Sequence, residues 1–323
     1  MAYQYFRINL PKDEVDVYDQ ISKSLFAVEP RITINQNSGK DNLQQIVNYV
    51  LQDLPQIFFV DEFRFVGSAQ KIDILPLYLS DKRSIAKLSS DFNKKAAQII
   101  SRCNGLGIYD TLLAIHDAIV RNVIYRDDKN SSVHSIASVL TQKIGVCEGY
   151  AKTFKYLLDM LNIPCIIIYG GAFPRGNIGN EPHAWNMVKI NNSWCHMDIT
   201  FDATIQFNDH IRYDYFALTD DQIKLDHSFN QNEYPPSNNG EFGYYYKNNL
   251  IMKTRAQLID YLKISYENGI HDIVVKLPGN VPEKGIEEKV LKTVTSCSSQ
   301  YFPNKIIKLS FNVKHKVFQI VTN

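Results

Sequence analysis

Residues 144–171 read IGVCEGYAKTFKYLLDMLNIPCIIIYGG, and this stretch decides how the chain is read. Tyr150, Phe154, Leu157, Leu158 and Leu161 recur at helical spacing and form one apolar face, which predicts a helix that opens at Cys147. Gly145 stands just before it, and Asn162 with Pro164 ends it. The following Cys165–Tyr169 run is short, apolar and rich in isoleucine, which reads as a buried strand. A cysteine in the first turn of a helix sits among unpaired N–H groups at the positive end of the macrodipole. That setting favours the thiolate. The same N–H groups can hold a developing oxyanion.

The other four cysteines lack this setting. Cys165 lies inside the apolar strand and Cys195 between Trp194 and His196, while Cys103 and Cys297 fall near helix ends with no partner close in sequence. They read as packing residues. With five widely spaced cysteines and no CxxC, neither a disulfide framework nor a zinc ribbon is expected.

Outward from the helix, Gly170–Pro182 reads as a flexible loop. His183–Ile190 and Ser193–Thr200 read as two strands joined by a turn at Asn191-Asn192. In such a hairpin His183 comes opposite Asp198–Thr200, so the Asp198 carboxylate can reach the imidazole and fix its tautomer. His183 is then the candidate base for Cys147. His196 shares a strand face with Asp198; it is an alternative base, although a hydrogen-bonded core histidine is the weightier reading. Trp185 is either a wall of the site or a core residue. Glu148 points away from Cys147 on the helix and suits its N-terminus.

These blocks, GVCEGYA, HAWN and HMDITFD in this order, resemble the transglutaminase-like superfamily in its microbial branch. The resemblance is good from Tyr109 to Asp202 and weaker through Tyr213–Pro236. It implies that Cys147 is the nucleophile, His183 the base and Asp198 the third member of a triad. It implies a reaction in which the thiolate attacks a carboxamide or peptide carbonyl to form a thioester, which an amine or water resolves. Crosslinkers, deamidases and proteases all occur in the family, as do members that have lost the residues. Phe201 stands where many relatives carry Trp, and Cys195 where many carry Tyr.

The expected fold class is therefore α+β: a papain-like transglutaminase core, with the cysteine-bearing helix packed on an antiparallel sheet, flanked by two small α/β domains. The expected division is an N-terminal domain over 1–104, the core over 105–240 and a C-terminal domain over 241–323. In the first, Tyr3–Ile8 reads as a strand, Pro11–Leu25 as a helix, Arg31–Ile34 as a strand, Leu43–Leu51 as a helix, Ile57–Val66 and Lys71–Leu79 as paired strands, and Asp81–Cys103 as a long helix. In the last, Arg255–Glu267 and Glu283–Cys297 read as helices, and Ile273–Lys276, Lys305–Phe311 and Lys316–Val321 as strands.

A net charge of +1 supplies no global field for nucleic acid or an anionic membrane. The expected partner is a protein or peptide substrate. No cofactor is expected. Cys147, His183, Cys195, His196 and Asp198 are all metal-ligand types, but Cys195 and His196 point to opposite faces and no HExxH or calcium-loop spacing occurs, so no metal is expected either. The N-terminal stretch has no apolar core of signal-peptide length, which gives a cytoplasmic expectation. The rival functional class is an interaction protein that uses the core as a scaffold.

Overall fold

The computed structural model describes residues 2–35, 40–68, 71–127, 131–173, 180–301 and 306–322. The chain divides into two compact units: 1–169 with 183–191, and 170–182 with 192–323. Both mix helix and strand, as the α+β expectation requires.

The first unit opens with α1 (Tyr5–Asn9), α2 (Lys12–Phe26), β1 (Ile32–Ile34), α3 (Lys40–Asp53), β2 (Val60–Ser68) and β3 (Lys71–Tyr78). The expected strand at Tyr3–Ile8 is in fact helical. The reason is tertiary: Asp53 accepts the N–H groups of Phe6 (3.2 Å) and Arg7 (3.0 Å), and the Phe6 ring stacks on Tyr49 with centroids 4.5 Å apart. A carboxylate thus takes the unpaired N–H groups of a helix start. Val17, Tyr18, Ile21 and Leu25 line one face of α2 and are buried with Ile46, Val47 and Val50 of α3 and Ile32, Ile34 and Ile74 of the β1-β3-β2 sheet. Burying each such side chain is worth about 1.5–3 kcal/mol. The paired strands expected here are antiparallel from Val60↔Tyr78 to Ser68↔Lys71. Of the expected NQNSGKDN loop, residues 36–39 lie outside the described residues and Lys40–Asn42 already belong to α3.

The unit continues with α4 (Lys82–Ile100), capped by the Asp81 carboxylate, and α5 (Ile108–Asn122). β4 (Ile124–Tyr125) pairs in parallel with β5 (Ile144–Gly145), and α6 (Cys147–Met160) follows directly. At its end Asn162 takes φ +57° and the Ile163 N–H returns to the Leu158 carbonyl at 3.0 Å, a left-handed helix stop of the kind expected there. β6 (Cys165–Ala172) and β7 (Glu181–Ile190) are hydrogen-bonded neighbours. Both extend into the segment expected to be a loop, of which residues 174–179 lie outside the described residues.

The second unit carries β8 (Ser193–Met197), α7 (Ile199–Thr204), β9 (Phe216–Leu218), α8 (Asp220–Ile223), β10 (His227–Ser228) and α9 (Tyr244–Lys247). β8 pairs antiparallel with β9, and β10 with Gly171 and Ala172 of β6. The strand expected over Ser193–Thr200 stops at Met197, because Asp198 caps α7 by accepting the Phe201 N–H at 3.1 Å. The unit ends with α10 (Arg255–Glu267), β11 (Asp272–Lys276), α11 (Ile286–Tyr301), β12 (Ile307–Asn312) and β13 (Val317–Thr322). Its last three strands form an antiparallel sheet in the order β11-β13-β12. Leu258, Leu262, Val290 and Val294 of the two helices are buried with Ile273, Val275, Phe318 and Ile320 of the sheet. Among the described residues no helix is long and apolar enough to cross a membrane.

Candidate active site

Cys147 is the first residue of the 14-residue helix α6, after an extended Val146 whose side chain makes no capping hydrogen bond. It is half-buried, whereas Cys103, Cys165, Cys195 and Cys297 are buried. Burial pushes the thiols of all four upward, that of Cys195 to about 12, so they stay protonated and inert near neutral pH.

The glycines beside Cys147 follow from packing. A Cβ on Gly145 would lie 2.6 Å from the Val139 Cγ2, and one on Gly149 would lie 2.6 Å from the Val133 carbonyl oxygen. The Val146 N–H donates to that same carbonyl at 3.2 Å. The 133–139 segment therefore clamps the first turn of α6, and only glycine on each side lets it approach. On the flank, the Glu148 carboxylate accepts from His134 Nδ1 (2.8 Å), Lys152 Nζ (2.7 Å) and the Tyr169 hydroxyl (2.9 Å). Burial alone would raise its pKa, but the His134 hydrogen bond and the Lys152 ammonium outweigh it and hold the group at about 2. Glu148 is thus an anion locked to the side of the helix.

His183 lies on β7, half-buried, with its ring stacked against Trp185 at 6.0 Å between centroids. Trp185 is almost wholly buried and so is at once core residue and platform for the His183 ring. Asn186, one residue on, is also buried; its Nδ2 donates to the Ala151 carbonyl of α6 at 3.0 Å and contacts the Cys165 Sγ at 3.5 Å. The strand of His183 is thereby tied to the helix of Cys147 inside the first unit. An amide next to two apolar residues on a buried strand is itself a signal of a required hydrogen bond.

Asp198 belongs to the second unit, where it is buried. One carboxylate oxygen caps α7 and the other accepts from His227 Nε2 at 3.0 Å. The second ring nitrogen of His227 meets Asp226 Oδ1 at 2.7 Å. His227 is the residue that sequence reasoning missed; it lies 29 positions from Asp198, beyond any local pattern. Both its ring nitrogens face carboxylates. His196 is fully buried, with Nε2 on Asp220 Oδ1 at 2.8 Å and its ring against Phe229. Burial lowers its pKa despite that carboxylate. This is the environment of a hydrogen-bonded core histidine.

The family model of the transglutaminase-like superfamily matches residues 94–199, which include Cys147, His183 and Asp198. No curated protein matches the chain. Among solved structures, a TGase is similar at 15% identity over 56% of this chain and 53% of that one, with a TM-score of 0.33. A protein of Cytophaga hutchinsonii is similar at 20% identity over 43% and 61%, with a TM-score of 0.30. The periplasmic domain of TgpA from Pseudomonas aeruginosa, bound to ethylmercury, is similar at 15% identity over 41% and 55%, with a TM-score of 0.28. The chain thus spans between about half and three fifths of these proteins, and scores of this size do not establish a common overall fold. Over residues 94–199 the chain is similar to the transglutaminase-like superfamily.

Proposed function

We propose that the chain catalyses thiol-dependent acyl transfer on protein or peptide amides, with Cys147 as nucleophile, His183 as base and Asp198 as the residue that orients and stabilises the imidazole. The observation that carries this reading is the setting of Cys147: it alone of five cysteines is not buried, and it stands at the open N-terminus of a full-length helix whose first turn is clamped.

In this reading His183 takes the thiol proton, and the Cys147 sulfur attacks the amide carbonyl carbon. The developing oxyanion lies against first-turn N–H groups of α6. Collapse forms the thioester, and the imidazolium hands its proton to the departing amine or ammonia. A second amine or a water then attacks the thioester, the imidazole takes a proton from it, and the thiolate leaves. Asp198 holds one ring tautomer and offsets the imidazolium charge.

The test uses wild-type, Cys147→Ala and His183→Ala proteins with a biotinylated primary amine and casein, together with ammonia release from a glutamine peptide and peptide mapping for new termini. Biotin incorporation by wild type alone marks transamidation, ammonia release without incorporation marks deamidation, and new termini mark proteolysis. Equal activity in Cys147→Ala at unchanged thermal stability would refute the assignment. An unreactive Cys147, with no faster iodoacetamide alkylation than the buried cysteines, would favour a scaffold.

A further inference from the structure

Behind Asp198 runs a file of buried side chains, all inside the second unit. Asp198 Oδ2 accepts from His227 Nε2 at 3.0 Å, and His227 Nδ1 donates to Asp226 Oδ1 at 2.7 Å. Asp226 Oδ2 in turn accepts from His315 Nε2 at 3.1 Å and from the Tyr215 hydroxyl at 2.7 Å. Asn312 Nδ2 reaches that hydroxyl at 3.3 Å, and its Oδ1 accepts the His315 N–H at 3.4 Å. Asn312 ends β12 and His315 lies in the turn that leads to β13. The rings of Phe201 and Tyr215 lie against His227, and that of Tyr215 against His315.

The charges follow from donor counting. An ionised carboxylate only accepts, so an imidazole held between two of them must donate from both nitrogens and is then an imidazolium. Burial alone would neutralise His227, but the hydrogen bonds to Asp198 and Asp226 outweigh it and raise its pKa. Asp226 is likewise held below the usual carboxylate range, burial being outweighed by the His227 and His315 hydrogen bonds. The order is anion, cation, anion. A hydrogen bond from a charged donor favours the ionised form of the carboxylate it meets, and a neutral carboxylic acid cannot offset an imidazolium.

We propose that His227 is a positioning residue for acyl transfer, which keeps Asp198 charged and in one rotamer and is itself anchored through Asp226 and His315 to the β12–β13 turn, so that the C-terminal sheet is part of the catalytic apparatus. This inference rests on the role of Asp198 in the proposed function.

The experiment compares wild type with Asp198→Asn, His227→Gln, His227→Leu and Asp226→Asn. The readouts are kcat and KM for biotinylated-amine incorporation into casein, the rate of Cys147 alkylation by iodoacetamide at pH 7, and thermal stability. Alkylation needs no acyl acceptor and gives an independent readout. His227→Leu removes hydrogen bond and charge together, and kcat should fall about 10- to 100-fold, the usual loss when a partner behind a site residue is removed, with KM within about twofold. His227→Gln keeps one donor and Asp226→Asn keeps the shape and the acceptor; both should fold and lose about 3- to 10-fold, the effect of one charge-assisted hydrogen bond made neutral. If His227→Leu fails to fold, these two variants decide. Full kcat and an unchanged alkylation rate in both, beside a disabled Asp198→Asn, would overturn the role of His227 while leaving Asp198 in place. Full activity in Asp198→Asn would overturn both.

Discussion

Gly149→Ala is the sharpest test of how the first turn of α6, and Cys147 with it, is held. By helix propensity alone, alanine inside α6 should stabilise the protein by about 0.8–1.0 kcal/mol. The packing reverses this sign. The new Cβ would lie 2.6 Å from the Val133 carbonyl oxygen and 3.0 Å from the Val139 Cγ2. The first contact is with backbone, and that carbonyl already accepts the Val146 N–H at 3.2 Å, so it has no cheap way to retreat. Overpacking of this kind costs about 1–3 kcal/mol, and a weakened buried hydrogen bond about 1 kcal/mol more. Against a propensity gain of about 1 kcal/mol, the net loss is about 1–3 kcal/mol. Urea unfolding followed by the fluorescence of Trp185 and Trp194 measures it, with Gly279→Ala, where a Cβ meets nothing within 4 Å, as a control expected within about 0.5 kcal/mol of wild type. The relief of the clash moves the first turn, so Cys147 alkylation should slow in the same variant. A Gly149→Ala protein more stable than wild type, with alkylation unchanged, would refute the clamp.

Three more outcomes are expected. Glu148, held at about 2 in the folded protein against an ordinary 4.5, contributes stability that is full above about pH 4.5 and lost as pH falls towards 2. With a quarter of its side chain exposed, screening leaves about 1–2 kcal/mol of this, and Glu148→Gln should flatten the fall in urea midpoint between pH 5 and 3. Lys155 donates to both oxygens of Asp159, to the Tyr3 carbonyl and to the Cys165 carbonyl; Lys155→Met should cost about 3–5 kcal/mol by stranding a buried carboxylate, and Lys155→Met with Asp159→Leu should recover part of it in the same urea titration. His196→Phe should lower stability and leave kcat within about threefold, whereas His183→Ala should lose nearly all turnover in the casein assay; the reverse order would move the base to His196.

Much of the fold was legible because its signals are local. The apolar face from Tyr150 to Leu161 fixes α6 to within a residue, and the left-handed Asn162 that ends it is the residue type the stop requires. The two misread ends differ in cause. Tyr3–Ile8 has the aromatic content of a strand, and only Asp53 and Tyr49, more than forty positions away, make it a helix. At the other, Ser193–Thr200 alternates like a strand, yet Asp198 ends it by turning its carboxylate onto the Phe201 N–H. Here the signal was present, since Asp is a strong N-cap and Asp202 adds a favourable charge to the first turn.

The candidate site divides along the same line. Cys147 could be singled out from its neighbours in sequence because helix position, a flanking glycine and the burial of rival cysteines are all readable from periodicity. What holds the site could not. Asn186 matters because of Ala151, Gly149 because of Val133, and Asp198 because of His227, and each partner is distant in sequence or on a different element. His227 is the extreme case: nothing in Asp226-His227-Ser228 separates it from a surface histidine until the fold buries it between two carboxylates. Once buried there, it is drawn towards the protonated form by its hydrogen bonds to both carboxylates, against the pull of burial. Chemistry carried by residue type is therefore visible in the chain, whereas chemistry carried by charge state waits on burial, and Asp198 belongs to the second kind as much as to the first.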